Sequence, residues 1–278
     1  MKRLMFSKMV KDCDWEAAAN HALRLGFDGM DLTCRAEGHV LPENVKTDLP
    51  KAVEFFKSKG LEIGMISTGI TTGEEPYTED ILNTAGKCGI KFVKMGYWWL
   101  GDKFGNAEKR LADAKRGAAK VAELAKAAGV CAIIHIHSGN CVNAIPTFIR
   151  EILQDLDKNH IGAYIDPGHM AVEGGYGGWS IGMDILAPYT KLIAIKSFKW
   201  FSKQQDNYVE WYNRLVPLSE GIAPWPKVLE RLKSIGYDGY ISVHSEYQEN
   251  DSWKVMTQDE CLAQTAEDLK YFDSIGFR

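Results

Sequence analysis

Apolar residues recur along the chain in two alternating patterns. Longer stretches carry apolar residues on one helical face, and each is followed by a glycine or a turn and then by a short apolar run typical of a buried strand. The first such unit is a helix at Trp15–Leu25 that ends at Gly26 and leads into a strand. The patterns predict strands at 4–8, 27–32, 61–66, 90–95, 130–135, 161–166, 192–196 and 240–244, and helices at 15–25, 49–58, 80–88, 107–128, 144–157 and 226–234.

The strict alternation of strand and helix predicts a parallel sheet, because each helical crossover returns the chain to the same end of the sheet. Eight such units are typical of an α/β fold of the (β/α)8 TIM barrel type. A doubly wound open sheet is the alternative, but no Gly-x-Gly-x-x-Gly sequence follows the first strand. No linker-like segment divides the chain, so we expect one barrel domain over residues 1–278.

Composition narrows the class of protein. The 278 residues are 45% hydrophobic and 25% charged, as in folded globular proteins, and the formal net charge of −4 gives no general attraction to nucleic acid. No apolar run is long enough for a signal sequence or a membrane span, so we expect no membrane partner. The six cysteines have no Cys-x-x-Cys spacing, which favours reduced thiols and a cytoplasmic location.

Histidines gather where the active face of a barrel is expected. Five of the seven lie at or just after predicted strand ends: His39, His135, His137, His169 and His244. Because side chains alternate along a strand, His135 and His137 are predicted to point together into the barrel. In this fold the loops after the strands form the active face, so these imidazoles indicate a ligand site.

Three of the polar residues at strand ends form a candidate metal site. Imidazoles and a carboxylate from His135, Asp166 and His244 could together hold one divalent ion such as Mn²⁺, Co²⁺, Zn²⁺ or Mg²⁺. Lys196 is predicted to stabilise an oxyanion or an enediolate, or to act as an amine base or Schiff-base nucleophile. The remaining catalytic candidates, which could move protons, are His137, His169 and Glu246.

Aromatic residues on the predicted loops of the same face suggest a carbohydrate pocket. Their flat apolar rings can stack on the C–H face of a sugar, and the residues predicted to bind substrate are His39, Trp98, Trp179 and Trp200. The alternative is that the tryptophans cover the barrel mouth or form the interface of a homo-oligomer. The glycine-rich segment 173–178 is predicted to be a mobile loop.

The sequence resembles the xylose-isomerase-like TIM barrels, a superfamily of sugar phosphate isomerases and epimerases that also includes endonuclease IV. The motifs that carry the resemblance lie at 27–32, 38–40, 166–169, 194–197 and 239–246. The resemblance implies a divalent metal bound by Glu, Asp, His and Glu at the last four strands. Asp166 keeps its place and His169 matches a substrate-contacting histidine, whereas the other three expected ligands are replaced by His135, Ala194 and His244. These replacements indicate a divergent branch.

Together these features predict a metal-assisted sugar isomerase or epimerase that abstracts a proton next to a carbonyl and passes through an enediolate. A lyase or dehydratase acting on a keto-sugar or an oxidised glycoside could use the same intermediate. A carbohydrate-binding barrel with a decayed metal site is a further alternative. Cleavage of abasic DNA is disfavoured, because the acidic chain lacks the basic rim that DNA binding requires. The expected partner is a small carbohydrate.

Overall fold

A computed structural model describes residues 1–102 and 104–277. Eight parallel strands close into a barrel, which confirms the predicted (β/α)8 architecture and excludes the open sheet. The ring order is β1-β10-β7-β6-β5-β4-β3-β2. The barrel strands are β1 Lys2–Phe6, β2 Gly29–Thr33, β3 Glu62–Ser67, β4 Phe92–Lys94, β5 Cys131–His135, β6 Ile161–Ile165, β7 Thr190–Ile195 and β10 Tyr240–Val243.

The α-helices surround the barrel and bury their apolar faces against it. Helix α1 begins after Asp14, whose carboxylate accepts a hydrogen bond from the Ala17 amide, and ends at Gly26 in the left-handed conformation. The helices are α1 Trp15–Leu25, α2 Val45–Ser58, α3 Thr78–Lys87, α4 Ala107–Ala128, α5 Pro146–Leu153, α6 Pro167–Leu186, α7 Trp225–Ser234 and α8 Gln258–Ser274. Helix α5 is shorter than predicted, because Pro146 favours the first turn of a helix and begins it later.

A hairpin that the sequence patterns did not predict follows the seventh barrel strand. Its strands, β8 Ser197–Gln204 and β9 Val209–Val216, pair antiparallel in a sheet of their own. Half of its 16 strand residues are exposed and only four are buried, so it lacks the apolar run that marks the buried barrel strands. The hairpin lies on the side of the barrel where the loops follow the strands.

The prediction that 173–178 forms a mobile loop is wrong. The segment lies within α6, which is interrupted by Gly175 at φ 55° and ψ −137°. Glycine adopts this conformation without the steric clash that a side chain would create, so the helix breaks there and continues to Leu186.

The barrel interior contains an apolar layer below a polar one. The lower layer is formed by Leu4, Met65, Phe92, Cys131, Ile133, Tyr164, Leu192 and Ala194, which pack together inside the strands. Because side chains alternate along a strand, the residues two positions further on also point inward. Those residues include Ser67, Lys94, His135, Asp166 and Lys196, and all are buried. The polar layer therefore lies at the C-terminal mouth, where barrels of this type place their active sites.

None of the six cysteines forms a disulfide, and four of them are buried. Over residues 1–102 and 104–277, no helix is long and apolar enough to cross a membrane.

Candidate active site

Two predicted site imidazoles lie beside one buried carboxylate. His135 Nε2 is 3.3 Å and His169 Nε2 is 3.7 Å from the same oxygen, Oδ2, of Asp166. None of these three atoms has a hydrogen-bond partner among the described residues, although all are shielded from solvent. Buried polar atoms without a partner carry a free-energy cost, so they mark the place where a polar ligand would bind favourably.

Asp166 links this cluster to the start of α6. Its Oδ1 accepts a hydrogen bond of 3.0 Å from the His169 backbone amide, which fixes the carboxylate at the N-terminus of the helix. Burial raises the pKa of Asp166 to about 7, against the opposing effects of Lys196 and of the backbone hydrogen bond. The carboxyl group can therefore change its protonation near neutral pH.

His137 joins the same group of imidazoles from the loop after β5. Its ring centre lies 4.3 Å from that of His169 and 4.4 Å from that of Tyr97. Its Nδ1 is 2.7 Å from the Ser138 carbonyl oxygen, which can only accept, so Nδ1 carries the proton and Nε2 keeps a free lone pair. Burial, and then the charge of Lys196, lower the pKa of His137 to about 4. The ring is therefore neutral at pH 7.

The other imidazoles of this group are also neutral. Burial lowers the pKa values of His135 and His169 well below the usual range for histidine, and nearby positive charges act in the same direction. The Tyr97 hydroxyl forms a 3.0 Å hydrogen bond with His135 Nδ1, and the Ser138 hydroxyl forms one of 2.7 Å with His169 Nδ1. These contacts fix both rings with Nε2 directed towards Asp166.

The opposite side of the mouth is ionic. Glu246 accepts a hydrogen bond of 2.6 Å from Lys196 and one of 2.7 Å from Lys8. Burial alone would raise the pKa of Glu246, but the two ammonium groups hold it well below its usual value. Glu246 is therefore a firmly ionised carboxylate whose two oxygens already accept hydrogen bonds from ammonium groups, which opposes the predicted role of a proton acceptor.

His244 belongs to this ionic side. The Tyr164 hydroxyl forms a 2.8 Å hydrogen bond with its Nε2, which also lies 3.7 Å from Asp31, and its Nδ1 lies 3.8 Å from Glu246. The ring stacks on Phe6 with a centre separation of 4.3 Å. His244 is thus held by Tyr164, Phe6 and the ionic groups, and its ring centre also lies 5.5 Å from that of His135.

The predicted metal site is not assembled in this arrangement. His135 and Asp166 are adjacent, but the Nε2 atom of the third predicted ligand, His244, is bonded to Tyr164. In the part of the chain that the structure describes, no three His, Cys, Asp or Glu side chains are arranged to hold a metal ion. The residues present do not fit a bound divalent ion without rearrangement.

The four predicted substrate-binding residues occupy three different places. Trp98 lines a cavity of about 610 Å³ beside the mouth. Trp179 and Trp200 face a second cavity of about 650 Å³ between α6 and the hairpin. His39 hydrogen-bonds Thr33 and lines a third cavity near α1. The structure therefore brings Trp179 and Trp200 together but separates them from Trp98 and His39.

Several residues of the mouth were not among the sequence candidates. Lys94 ends β4 and Asp31 is the central residue of β2, and the alternation rule that identified His135 would have placed both inward. Asp31 accepts hydrogen bonds of 2.8 Å from Ser67 and from Ser242. The other residues missed are Lys8, Tyr97 and Tyr164.

Similarity to known proteins agrees with the observed fold. The solved structures that resemble the chain include D-psicose 3-epimerase with D-tagatose from Clostridium cellulolyticum H10, with 13% identity, a TM-score of 0.72 and 99% of each chain covered. Another is 3-keto-D-glucoside 4-epimerase from E. coli, with 13% identity, a TM-score of 0.70 and 99% of each chain covered. A third is a xylose isomerase-like TIM barrel protein from Mycobacterium smegmatis in complex with magnesium, with 14% identity, a TM-score of 0.68, and 99% of this chain and 97% of that chain covered.

No curated protein sequence matches the chain. Residues 18–274 match the family described as xylose isomerase-like TIM barrel, which is most of the chain. The protein therefore belongs to the xylose isomerase-like TIM barrel family.

Proposed function

We propose that the protein is a sugar isomerase or epimerase that removes a proton next to a carbonyl group. The observation that carries the proposal is the group of buried, unpartnered polar atoms at the mouth: His135 Nε2, Asp166 Oδ2, His169 Nε2 and His244 Nδ1. A polyhydroxylated ligand can supply both the donors and the acceptors that these atoms lack. The sugar epimerases among the similar structures make this substrate class a reasonable one to test.

We assign the proton transfer to His137. Its Nε2 keeps a lone pair because Nδ1 donates to the Ser138 carbonyl oxygen, and the neutral ring is half-buried at the opening. His169, whose ring lies 4.3 Å from that of His137, is placed to bind a neighbouring hydroxyl group. A neutral imidazole that is oriented in this way can accept a proton from carbon and return it to the same intermediate.

Positive charge at the mouth would stabilise the enediolate that proton removal creates. Lys196 is 5% exposed and is the more buried of the two lysines that bind Glu246. The negative charge that develops on the substrate oxygen is favoured by a fixed cation in a site with little water. Return of the proton at another carbon gives isomerisation, and return on the other face of the same carbon gives epimerisation.

A divalent metal stays a prediction. Binding at His135, Asp166 and His244 would require the His244 ring to leave Tyr164, so no step of the proposed reaction depends on it. The lyase prediction also stands, because loss of a leaving group from the same intermediate would give elimination.

The proposal is tested by incubating the purified protein in heavy water with ketoses, aldoses and 3-keto-glycosides. We expect deuterium to enter one C–H position next to the carbonyl of at least one sugar, as detected by NMR. Any route through an enediolate exchanges this proton, whatever the final product. Sugar binding without exchange would instead support the carbohydrate-binding barrel.

A further inference from the structure

A second lysine of the barrel mouth, Lys94, has surroundings unlike those of Lys196. It is the last residue of β4, and its side chain is only 4% exposed. Phe92, two residues earlier, packs inside the barrel, so the alternation of the strand directs Lys94 inward as well. Its amine therefore lies within the polar layer of the mouth.

The Lys94 amine has no anionic partner. Among the described residues it forms no ion pair and donates no side-chain hydrogen bond, and its Nζ lies over the Tyr97 ring, 3.8 Å from the ring centre. Lys196 and Lys8, by contrast, both donate to Glu246. A buried lysine without a carboxylate partner favours the uncharged form, and only this form is a nucleophile.

The charges around Lys94 come from several elements. Burial, together with the positive charges of Arg35 and Lys196, lowers the pKa of Lys94 to about 7, against the opposing effects of Asp31 and Glu246. Asp31 belongs to β2, Arg35 follows β2, and Lys196 and Glu246 follow β7 and β10. A substantial fraction of the amine is therefore uncharged near neutral pH.

The amine also lies close to the place where the proposed function puts the sugar. Lys94 pairs with Ile133 in the β4–β5 register, and His135 is two residues further along β5. Two residues of strand, about 6.6 Å, and the spacing of neighbouring strands, about 4.8 Å, together correspond to about 8 Å, which the lysine and histidine side chains can span between them. Tyr97 connects the two groups, because its ring contacts Nζ and its hydroxyl bonds His135.

We propose that Lys94 is a covalent catalytic residue that forms an imine with the carbonyl carbon of an open-chain sugar. This inference rests on the proposed function for its substrate class. The amine lone pair attacks the carbonyl carbon, the oxygen takes up a proton, and water leaves as the C=N bond forms. The protonated imine acidifies the neighbouring C–H, so removal of that proton by a base gives an enamine. Reprotonation of the same carbon on its other face restores the imine, and hydrolysis then releases the epimerised sugar and the free amine, with no oxidant or reductant consumed.

The imine would supply the electron sink that the reaction needs. A divalent ion held at the mouth would polarise the carbonyl in its own way, and the proposal does not depend on whether one binds. Lys94 provides an alternative that is already part of the polar layer.

The experiment is reductive trapping. The full-length protein is incubated with glycolaldehyde, or with the sugar that exchanges best, and sodium borohydride then adds hydride to the imine carbon. We expect one adduct per chain, located at Lys94 by peptide mass mapping. Lys94→Met and Lys94→Arg should abolish the adduct, whereas Lys91→Met, which changes an exposed lysine at the other end of β4, should leave it unchanged.

The mapping of the wild-type adduct needs no variant, so the test holds even if Lys94→Met fails to fold. Deuterium exchange into a sugar with no adduct at Lys94 would overturn the imine while leaving the proposed function intact. An adduct at Lys94 with glycolaldehyde, but no exchange into any sugar, would support the nucleophile and contradict the proposed function. Adducts spread evenly over exposed lysines would also overturn the proposal.

Discussion

The two sides of the barrel mouth bury their polar groups in different ways. On one side, His135, His137 and His169 surround Asp166 as neutral rings, and several of their atoms lack partners. On the other side, Lys8, Lys196 and Glu246 form a compact ion-pair cluster in which both ammonium groups bond the same carboxylate. The neutral side is therefore free to bind and react, whereas the groups of the ionic side already bond one another and provide a fixed electrostatic field.

The largest effect is expected from a substitution that disrupts the ionic side. Glu246→Gln removes the carboxylate that both Lys196 and Lys8 contact, and it leaves a buried ammonium group without an anion. Loss of one partner of a buried pair costs about 3 to 5 kcal/mol, and partial exposure of Lys8 places the expected loss of unfolding free energy near the lower value. Urea unfolding measures it.

Glu249→Gln is the matched control. Glu249 lies 3.6 Å from Lys8 and 3.7 Å from Lys11 and is about one-third exposed. We expect it to lower the unfolding free energy by less than about 1 kcal/mol. Equal effects of the two substitutions would contradict the assignment of Glu246 as the centre of the ionic side.

The next effect concerns the reactive side. His137→Ala should slow deuterium exchange into the sugar about a hundredfold, because a positioned acid–base group contributes at least that factor. Sugar affinity should change much less, since the unpartnered atoms of Asp166 and His169 remain. His21→Gln, at a histidine of α1 outside the barrel, should leave the rate unchanged. An exchange rate unaffected by His137→Ala would remove His137 from the mechanism.

A third prediction uses the pH dependence of stability. The pKa of Lys94 is lowered in the folded protein to about 7 from 10.5, so between these values the unfolded chain holds a proton that the folded chain lacks. Stability from this group therefore rises with pH across that window and is constant below it. The variant Lys94→Met lacks the titrating amine.

The advantage of Lys94→Met over wild type in unfolding free energy should consequently shrink as the pH rises from about 7 to about 9. We expect a change of at least about 1.4 kcal/mol, which corresponds to one pKa unit. Urea unfolding of both proteins at the two pH values gives the difference in their unfolding free energies. The contributions of the other titrating groups cancel in this difference. A constant difference would mean that Lys94 keeps its proton in the folded protein.

A smaller effect is expected from divalent metal ions. A ligand present at a hundred times its dissociation constant stabilises a protein by about 2.7 kcal/mol. Because His244 is bonded to Tyr164, we expect Zn²⁺ or Mn²⁺ at micromolar concentration to change the unfolding free energy by much less. A full stabilisation that is lost in both His135→Ala and Asp166→Ala would instead establish the metal site that the sequence predicted.

The smallest effect is expected at the hairpin. Trp200 is 41% exposed and faces the cavity shared with Trp179, apart from the imidazole cluster. Trp200→Ala should lower kcat/KM by less than about tenfold, a loss smaller than 1.4 kcal/mol in transition-state binding. A larger loss, with KM raised and kcat unchanged, would place the sugar across this cavity and confirm the predicted role of Trp200 in substrate binding.

The sequence predicted the barrel because apolar strand patterns and amphipathic helix patterns are local, and eight of the former and six of the latter follow one another along the chain. It also located His135, His137 and Asp166 at the mouth, since period-two alternation determines which side of a strand a residue faces. The hairpin after β7 was not predicted, because half of its strand residues are exposed and carry little apolar pattern. The helical conformation of residues 173–178 was not predicted either, because each of its glycines by itself favours a loop.

The alternation of residues within each strand was enough to predict which groups reach the C-terminal mouth. Which of these groups pair depends on the tertiary structure. It placed His244 beside Tyr164 and joined Glu246 to two lysines, and among the described residues it left Lys94 without a carboxylate partner. The physical reason is that facing inward depends on backbone periodicity within one strand, whereas pairing and pKa depend on distances between side chains of different strands. Those distances are set by the closure of the barrel.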